Sequence, residues 1–208
     1  MIHESSPWKE NLTKDADVID RWASKTAITA RRSFTLEKKI FLAAYSMRKL
    51  AEAGKLSSSF KDRSVRCQKV PAISDCITII NNYELDRLYD FSKPSDHSIN
   101  VCELCDLIIH SFVFSEILQD DLTIDAFCVT SDRQRYDGLW LVGISTFSRL
   151  MRLVANDYPS TIIQVFDCEN NDWVTWSGHG QPPENIHQKF DRISHKTAAH
   201  WMRVPPNR

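Results

Sequence analysis

The feature that most constrains the fold is the apolar stretch Val101–Phe114, which reads VCELCDLIIHSFVF. Its apolar residues recur at intervals of three and four, which places them on one side of an α-helix. This side consists of Val101, Leu104, Cys105, Ile108, Ile109 and Phe112. The spacing predicts a buried helix over 101–114, so the rest of the chain must supply a core around it.

The other side of this predicted helix carries Glu103, Asp106 and His110, again three and four residues apart. Two carboxylates and an imidazole on one face suit a metal site, a proton-transfer site or an ordinary solvated surface. His97 would supply the second imidazole of an acid–base pair. No second helix offers matching ligands, so the sequence predicts no metal site and no cofactor. Catalytic candidates are therefore His110, Asp106, Glu103 and His97.

The amino-acid composition and net charge argue against a membrane protein and give no overall argument for a nucleic-acid-binding protein. The chain is 42% hydrophobic and 25% charged, which is typical of a soluble globular protein. Its formal net charge of −1 gives no overall electrostatic argument for nucleic acid, although local contact stays open. No apolar run approaches the ~20 residues that span a bilayer, so no membrane association is expected.

The location expected from the sequence is the cytoplasm. The N-terminal residues are polar and acidic rather than a secretory signal, and reduced thiols fit that compartment. The familiar phosphate-loop, dinucleotide-binding, serine-hydrolase and zinc-protease motifs are absent from the sequence.

The first half of the chain reads mainly as helix. Apolar periodicity predicts helices over 15–32 and 36–53, the second capped by Thr35 and stopped by Gly54. Residues 55–75 read as an exposed connection. That connection holds a basic cluster of Lys61, Arg63, Arg66 and Lys69. Further on, 76–80 predicts a short buried strand and 84–89 a brief helix, followed by a turn at 93–96.

The second half reads as hairpin, helix, hairpin. Strands are predicted at 123–131 and 139–144, a helix at 146–156, and strands at 161–167 and 173–177. The fold class is therefore α+β, with N-terminal helices packed on a small, largely antiparallel four-stranded sheet.

The predicted organisation is one α+β domain over 1–177, helical in 15–120 and β-rich in 121–177. Residues 178–208 form a linker and a C-terminal amphipathic helix or tail. A terminal helix with few apolar anchors docks either on its own domain or on a partner. The sequence thus predicts a protein partner, with residues 184–208 as a candidate contact.

Candidate binding residues come from loops and aromatic side chains. The loop after the first hairpin strand offers charged groups for a phosphate or a carboxylate partner. Tryptophans and the apolar side of the terminal helix offer contact area. These residues are Asp132, Arg133, Arg135, Trp140, Trp176, Phe190 and Trp201.

The function that follows is a non-catalytic binding, regulatory or assembly role. The alternative is a small nuclease or metal-dependent hydrolase that uses the Glu103, Asp106 and His110 face of the predicted helix.

Overall fold

The computed structural model describes residues 2–27 and 29–203, with side chains described up to 198. Helices and strands are interspersed along this part of the chain, which begins with three helices. The helices are α1 (Ser6–Ala23), α2 (Ala30–Glu52), α3 (Ser58–Lys61), α4 (Leu85–Leu88), α5 (Val101–Ile109), α6 (Ile144–Ala155) and α7 (Glu184–Arg203). The strands are β1 (Ser64–Val70), β2 (Ser95–Asn100), β3 (Ser111–Leu118), β4 (Ile124–Ser131), β5 (Leu139–Gly143), β6 (Thr161–Asp167) and β7 (Asp172–Gly178).

The first two helices are displaced from their predicted bounds. α1 has Pro7 in its first turn, where the missing N–H breaks no hydrogen bond because first-turn N–H groups have no partner within the helix. α2 is capped by Thr29, whose hydroxyl accepts from the Arg32 N–H at 3.1 Å. Thr35, the predicted cap, instead lies inside α2 and donates its hydroxyl proton to the Arg31 carbonyl oxygen. The predicted helix over 15–32 is wrong because it runs across the break between α1 and α2.

Residues 55–75 are not an exposed connection, because they contain β1. This strand alternates exposed polar residues with the buried Val65 and Cys67. It pairs antiparallel with β2, which begins within the predicted turn at 93–96. Both strands carry many polar residues on their exposed face, so neither has the apolar run that identifies a strand in sequence.

α5 is shorter than predicted. The side chain of Asn100 caps it by accepting from the Cys102 N–H at 2.8 Å. The helix ends at Ile109, and β3 begins only two residues later. Within β3, Phe114 pairs with Val129 of β4. The apolar residues after His110 therefore belong to a strand rather than to the last turn of the predicted helix.

The predicted buried strand over 76–80 is also wrong. These residues form a turn in which Ile79 and Ile80 are 79% and 80% exposed. The Asn81 side-chain oxygen holds the turn by accepting from the backbone N–H and the hydroxyl of Thr78. This local side-chain bonding replaces the strand ladder that the apolar run suggested.

The main sheet has five antiparallel strands in the order β2-β1-β5-β4-β3. β6 and β7 form a separate two-stranded sheet. The α+β class is confirmed, but the four-stranded sheet is wrong. The two predicted hairpins do not join each other, because β1 and β3 occupy the sides of the β4–β5 pair.

One core lies between the sheet and four helices, α1, α2, α5 and α6. Leu36, Leu104 and Phe147 from three of these helices share it with Phe127 and Val142 from the sheet. A smaller apolar cluster lies on the other face of the sheet, beneath the segment 71–91. Within the described residues, no helix has the length and apolar character needed to cross a membrane.

Replacing Phe127 tests this core. Phe127 is fully buried, and its ring centroid lies 5.4 Å from those of both Phe114 and Phe147. We expect Phe127→Ala to lower the free energy of unfolding by about 3–5 kcal/mol, because it removes these contacts and leaves a cavity. Urea denaturation measures this change.

The matched control is Ile162→Ala, since Ile162 is 56% exposed on β6. Its expected effect is within about 0.5 kcal/mol. Equal unfolding midpoints for the two variants would contradict the assigned core.

Candidate functional site

The structure brings two separately predicted sets of residues into one cleft, which we call the α5 cleft. It has a volume of about 480 Å³ and lies between the polar side of α5 and the loop after β4. Its lining consists of Glu103, Asp106, Leu107, His110, Ser131, Asp132, Arg133 and Gln134. The two sets meet because α5 packs against β4, whose last residue is Ser131.

Asp106 is already engaged by an arginine from another helix. The Arg48 Nε donates to Asp106 Oδ1 at 2.7 Å, which ties α5 to α2. This hydrogen bond raises the pKa of Arg48 above its ordinary value. Asp106 therefore serves first as the hydrogen-bond and ion-pair partner of Arg48.

Asp132 is likewise engaged, by Arg135 of the same loop. The Arg135 guanidinium also lies 4.8 Å from the Phe112 ring centre and 5.0 Å from that of Tyr136. The Arg135 carbonyl oxygen accepts from the Tyr89 hydroxyl at 3.1 Å. Arg135 thus holds the loop in place, while the side chain of Arg133 is exposed at the cleft.

Three charged or titratable groups of the cleft remain uncommitted among the described residues: Glu103, His110 and Arg133. All three are exposed. His110 follows the last residue of α5, and its backbone N–H donates to the Asp106 carbonyl oxygen at 2.9 Å. A carboxylate, an imidazole and a guanidinium can bind a charged group, or transfer protons beside a stabilised anion.

No group of three histidine, cysteine, aspartate or glutamate side chains within the described residues is arranged to hold a metal ion. The thiols next to the cleft offer no nucleophile either. Burial raises the pKa of Cys105, and burial is also the main cause that raises the pKa of Cys102. Both thiols therefore stay protonated at neutral pH.

His97 lies at a different cavity from His110. It is exposed on β2, its Nε2 lies 3.1 Å from the Ser95 hydroxyl, and its ring packs edge-on against Trp140. The cavity that it lines, of about 840 Å³, lies over the sheet and also includes Asp96 and Asp125. The structure therefore does not bring the two predicted imidazoles together.

The predicted aromatic contact residues are mostly packed inside the fold. Trp140 is 9% exposed and Phe190 is 5% exposed, so neither presents an open contact surface. Trp176 is partly buried, with its ring against Gly178, where a Cβ atom would approach within 2.6 Å. The side chain of Trp201 lies outside the described residues.

The three most exposed large apolar side chains of the described residues, Ile79, Ile80 and Tyr83, occur instead in or just after the segment that was predicted as a buried strand, although others such as Phe34 and Trp173 are exposed elsewhere. Ile73, Ile79, Ile80 and Tyr83 are 58%, 79%, 80% and 74% exposed. We call Ile79, Ile80 and Tyr83, which lie within five consecutive residues, the apolar surface. In the sequence, the apolar run at 76–80 is consistent with either a buried segment or an exposed contact surface. Only the tertiary structure decides between the two.

Comparisons with known proteins found no matching family model, curated relative or solved structure.

Replacing Asp106 tests whether its role is structural. In the pair with Arg48 the side chains are 47% and 30% exposed, so solvent screens the attraction. We expect a double-mutant cycle of Asp106→Asn and Arg48→Gln to give a coupling free energy of about 0.2–1 kcal/mol in thermal or urea unfolding. A coupling of the opposite sign would contradict a stabilising pair between Asp106 and Arg48.

Proposed function

We propose that this protein is a non-catalytic binding protein, with a regulatory or assembly role, that docks a protein partner on the apolar surface. The observation that carries this proposal is the exposure of Ile79, Ile80 and Tyr83, each more than 70% exposed within five consecutive residues. Single exposed apolar residues are ordinary, whereas a concentration of large ones marks a contact site.

The apolar surface is held in a defined conformation, which favours binding. Ile77 is fully buried beneath it and anchors the segment in the smaller apolar cluster. The Asn82 side chain donates to the Phe112 carbonyl oxygen at 3.0 Å, and the Tyr136 hydroxyl donates to the Ile77 carbonyl oxygen at 3.4 Å. A surface ordered in advance loses less conformational entropy when a partner covers it.

Burial of this surface contributes part of the free energy that a specific contact needs. Full burial of one isoleucine side chain contributes about 1.5–3 kcal/mol relative to exposure. The apolar surface combines two adjacent isoleucines with a tyrosine, whose hydroxyl can form a hydrogen bond. A small cluster of anchoring side chains contributes most of the binding free energy in many protein interfaces.

A charge introduced on the apolar surface tests the proposal. We expect Ile79→Asp/Ile80→Asp to abolish capture of the partner, because a carboxylate cannot be buried there without losing its hydration. Affinity capture from extracts of the source cells, with the bound proteins quantified by mass spectrometry, measures the loss.

The matched control is Ile162→Asp/Leu122→Asp, which places the same two charges at other exposed apolar positions. This control should retain the partner. If the Ile79→Asp/Ile80→Asp variant stays folded and keeps every protein that the parent captures, the apolar surface is not the docking site.

Residues 184–208 are the second proposed contact with a partner. α7 packs on β6, where Phe190 is buried and the Thr197 hydroxyl donates to the Phe166 carbonyl oxygen at 2.8 Å. The exposed side of α7 still carries Lys189 and Arg192. Lys189→Glu/Arg192→Glu in the same capture experiment separates this contact from the apolar surface without disturbing Phe190.

A second candidate function is acid–base cleavage of a phosphodiester in the α5 cleft. It is favoured by the meeting of Glu103, His110 and Arg133 in one cleft. In this mechanism the Glu103 carboxylate accepts the proton of the attacking hydroxyl as the new P–O bond forms, and the His110 imidazole donates a proton to the leaving oxygen as the old P–O bond breaks. The guanidinium stabilises the negative charge of the transition state.

His110→Ala tests this second function. We expect a nuclease to lose about 10²–10⁴-fold in cleavage rate when its acid–base group is removed, measured with a fluorescently labelled RNA oligonucleotide. His97→Ala is the control, since His97 lies at another cavity. No cleavage by the parent protein, or equal rates in parent and His110→Ala, would exclude catalysis at His110.

A further inference from the structure

A groove rich in arginine lies between the start of β1 and α6, and we call it the arginine groove. It has a volume of about 560 Å³. Its lining consists of Arg63, Ser64, Val65, Arg66, Thr146, Arg149, Leu150 and Leu153. We propose that the arginine groove binds phosphate groups, either of a small phosphorylated ligand or of a nucleic-acid backbone. This inference does not depend on the apolar surface or on the α5 cleft.

The groove differs from the basic cluster that is visible in the sequence. Lys69 does not line the groove, and its Nζ lies 5.2 Å from the centre of the Trp140 ring. Arg149 joins from α6, more than eighty residues further along the chain. The folded chain thus combines arginines from two elements around one groove, which is a more specific arrangement than a basic run in a loop.

The three arginines have no charge partner of their own. Across the described residues, no ion pair or side-chain hydrogen bond engages the guanidinium of Arg63, Arg66 or Arg149, and all three are exposed. The Arg63 guanidinium lies 5.7 Å from the centre of the Phe60 ring, a contact that leaves its charge uncompensated. The groove lining within the described chain contains no acidic residue. The neighbouring acids are Asp62, which precedes Arg63 in the chain, and Asp96 and Asp125, which line the adjacent cavity that shares Arg66.

Arg152, on the same helix, is an arginine whose charge is neutralised by ion pairs within the protein. Its Nη2 lies 2.7 Å from Asp17 Oδ1 and 2.7 Å from Asp20 Oδ2, and these bonds raise its pKa. Arg149, three residues earlier in α6, points to the groove instead of to α1. The charge of Arg152 on one side of α6 is therefore neutralised by acidic residues of α1, whereas the charge of Arg149 on the other side is not.

The chemistry of the lining favours phosphate over a single carboxylate. Three guanidiniums exceed the charge of one carboxylate, and each presents a planar fork that matches phosphate oxygens. The hydroxyls of Ser64 and Thr146 add hydrogen-bond donors. Thr146 lies in the first turn of α6, which has no acidic residue and no side-chain cap to offset the positive end of its helix dipole.

The rest of the lining indicates which part of a ligand is recognised. Val65, Leu150 and Leu153 supply apolar contact, and no aromatic ring is among the described lining residues. Stacking of bases on aromatic rings is the usual source of affinity for exposed bases. The groove therefore suits the phosphates and the sugars beside them, with little dependence on base sequence.

The test compares two probes with the full chain: inorganic pyrophosphate by titration calorimetry, and a labelled 20-nucleotide single strand by fluorescence polarisation. We expect Arg66→Ala/Arg149→Ala to raise the dissociation constant at least about tenfold, because it removes two charge-assisted contacts. If all three arginines contact the strand, the slope of log affinity against log salt is about −2 for the parent. The double variant should retain a slope of about −0.7.

The matched control is Arg21→Ala/Arg31→Ala, which removes two exposed arginines from α1 and α2 that line none of the cavities described above. Thermal unfolding checks that both double variants remain folded.

Saturable pyrophosphate binding that the groove variant loses supports a small phosphorylated ligand. Binding of the strand alone, with a steep salt dependence that the groove variant loses, supports a nucleic-acid backbone. The proposal is overturned if neither probe binds the parent, or if the control loses as much affinity as the groove variant.

Discussion

The pairing of β1 with β5 is the constraint on which the rest of the structure depends. Gln68 lies opposite Leu141, so a strand from the first half of the chain enters the sheet beside one from the second half. This pairing places β2 and β3 at opposite edges of the sheet. α5 must then connect one edge to the other, across the face that α1, α2 and α6 also cover. The burial of α5 is therefore a consequence of strand order as well as of its apolar side.

The same strand order positions the two polar sites. α5 crosses the sheet and ends near the last residue of β4, which opens the α5 cleft between them. β1 begins beside α6, and arginines from both elements line the arginine groove. Ion pairs then divide the charged residues into two groups. Asp106 and Asp132 are held by arginines of the protein, whereas Arg133 and Arg149 remain open to a ligand.

Prediction from sequence succeeded where local pattern and tertiary role agree. β4, β5 and the β6–β7 pair lie within one residue of their predicted bounds, and α6 lies within two. Their apolar residues are contiguous or follow one period, and turn residues separate them. Prediction failed for β1 and β2, whose exposed faces are charged or polar, and for the turn at 76–80, in which Ile77 is buried but Ile79 and Ile80 face outward. In each failure the neighbouring chain, rather than the local pattern, decides which side is covered.

The candidate site was likewise predictable in part from the sequence, whereas the rest depended on the tertiary structure. The sequence by itself determined the α+β class, the apolar side of α5 and the set Glu103, Asp106 and His110 on its other side, because helix periodicity is a local property. Only the tertiary structure decided that Asp106 is paired with Arg48, that His97 lies at another cavity, and that Arg149 joins the basic residues of β1. These relations join residues far apart in the chain, and they depend on strand order and helix packing. No local pattern contains that information, since a side chain's partners are set by which elements the fold places beside it.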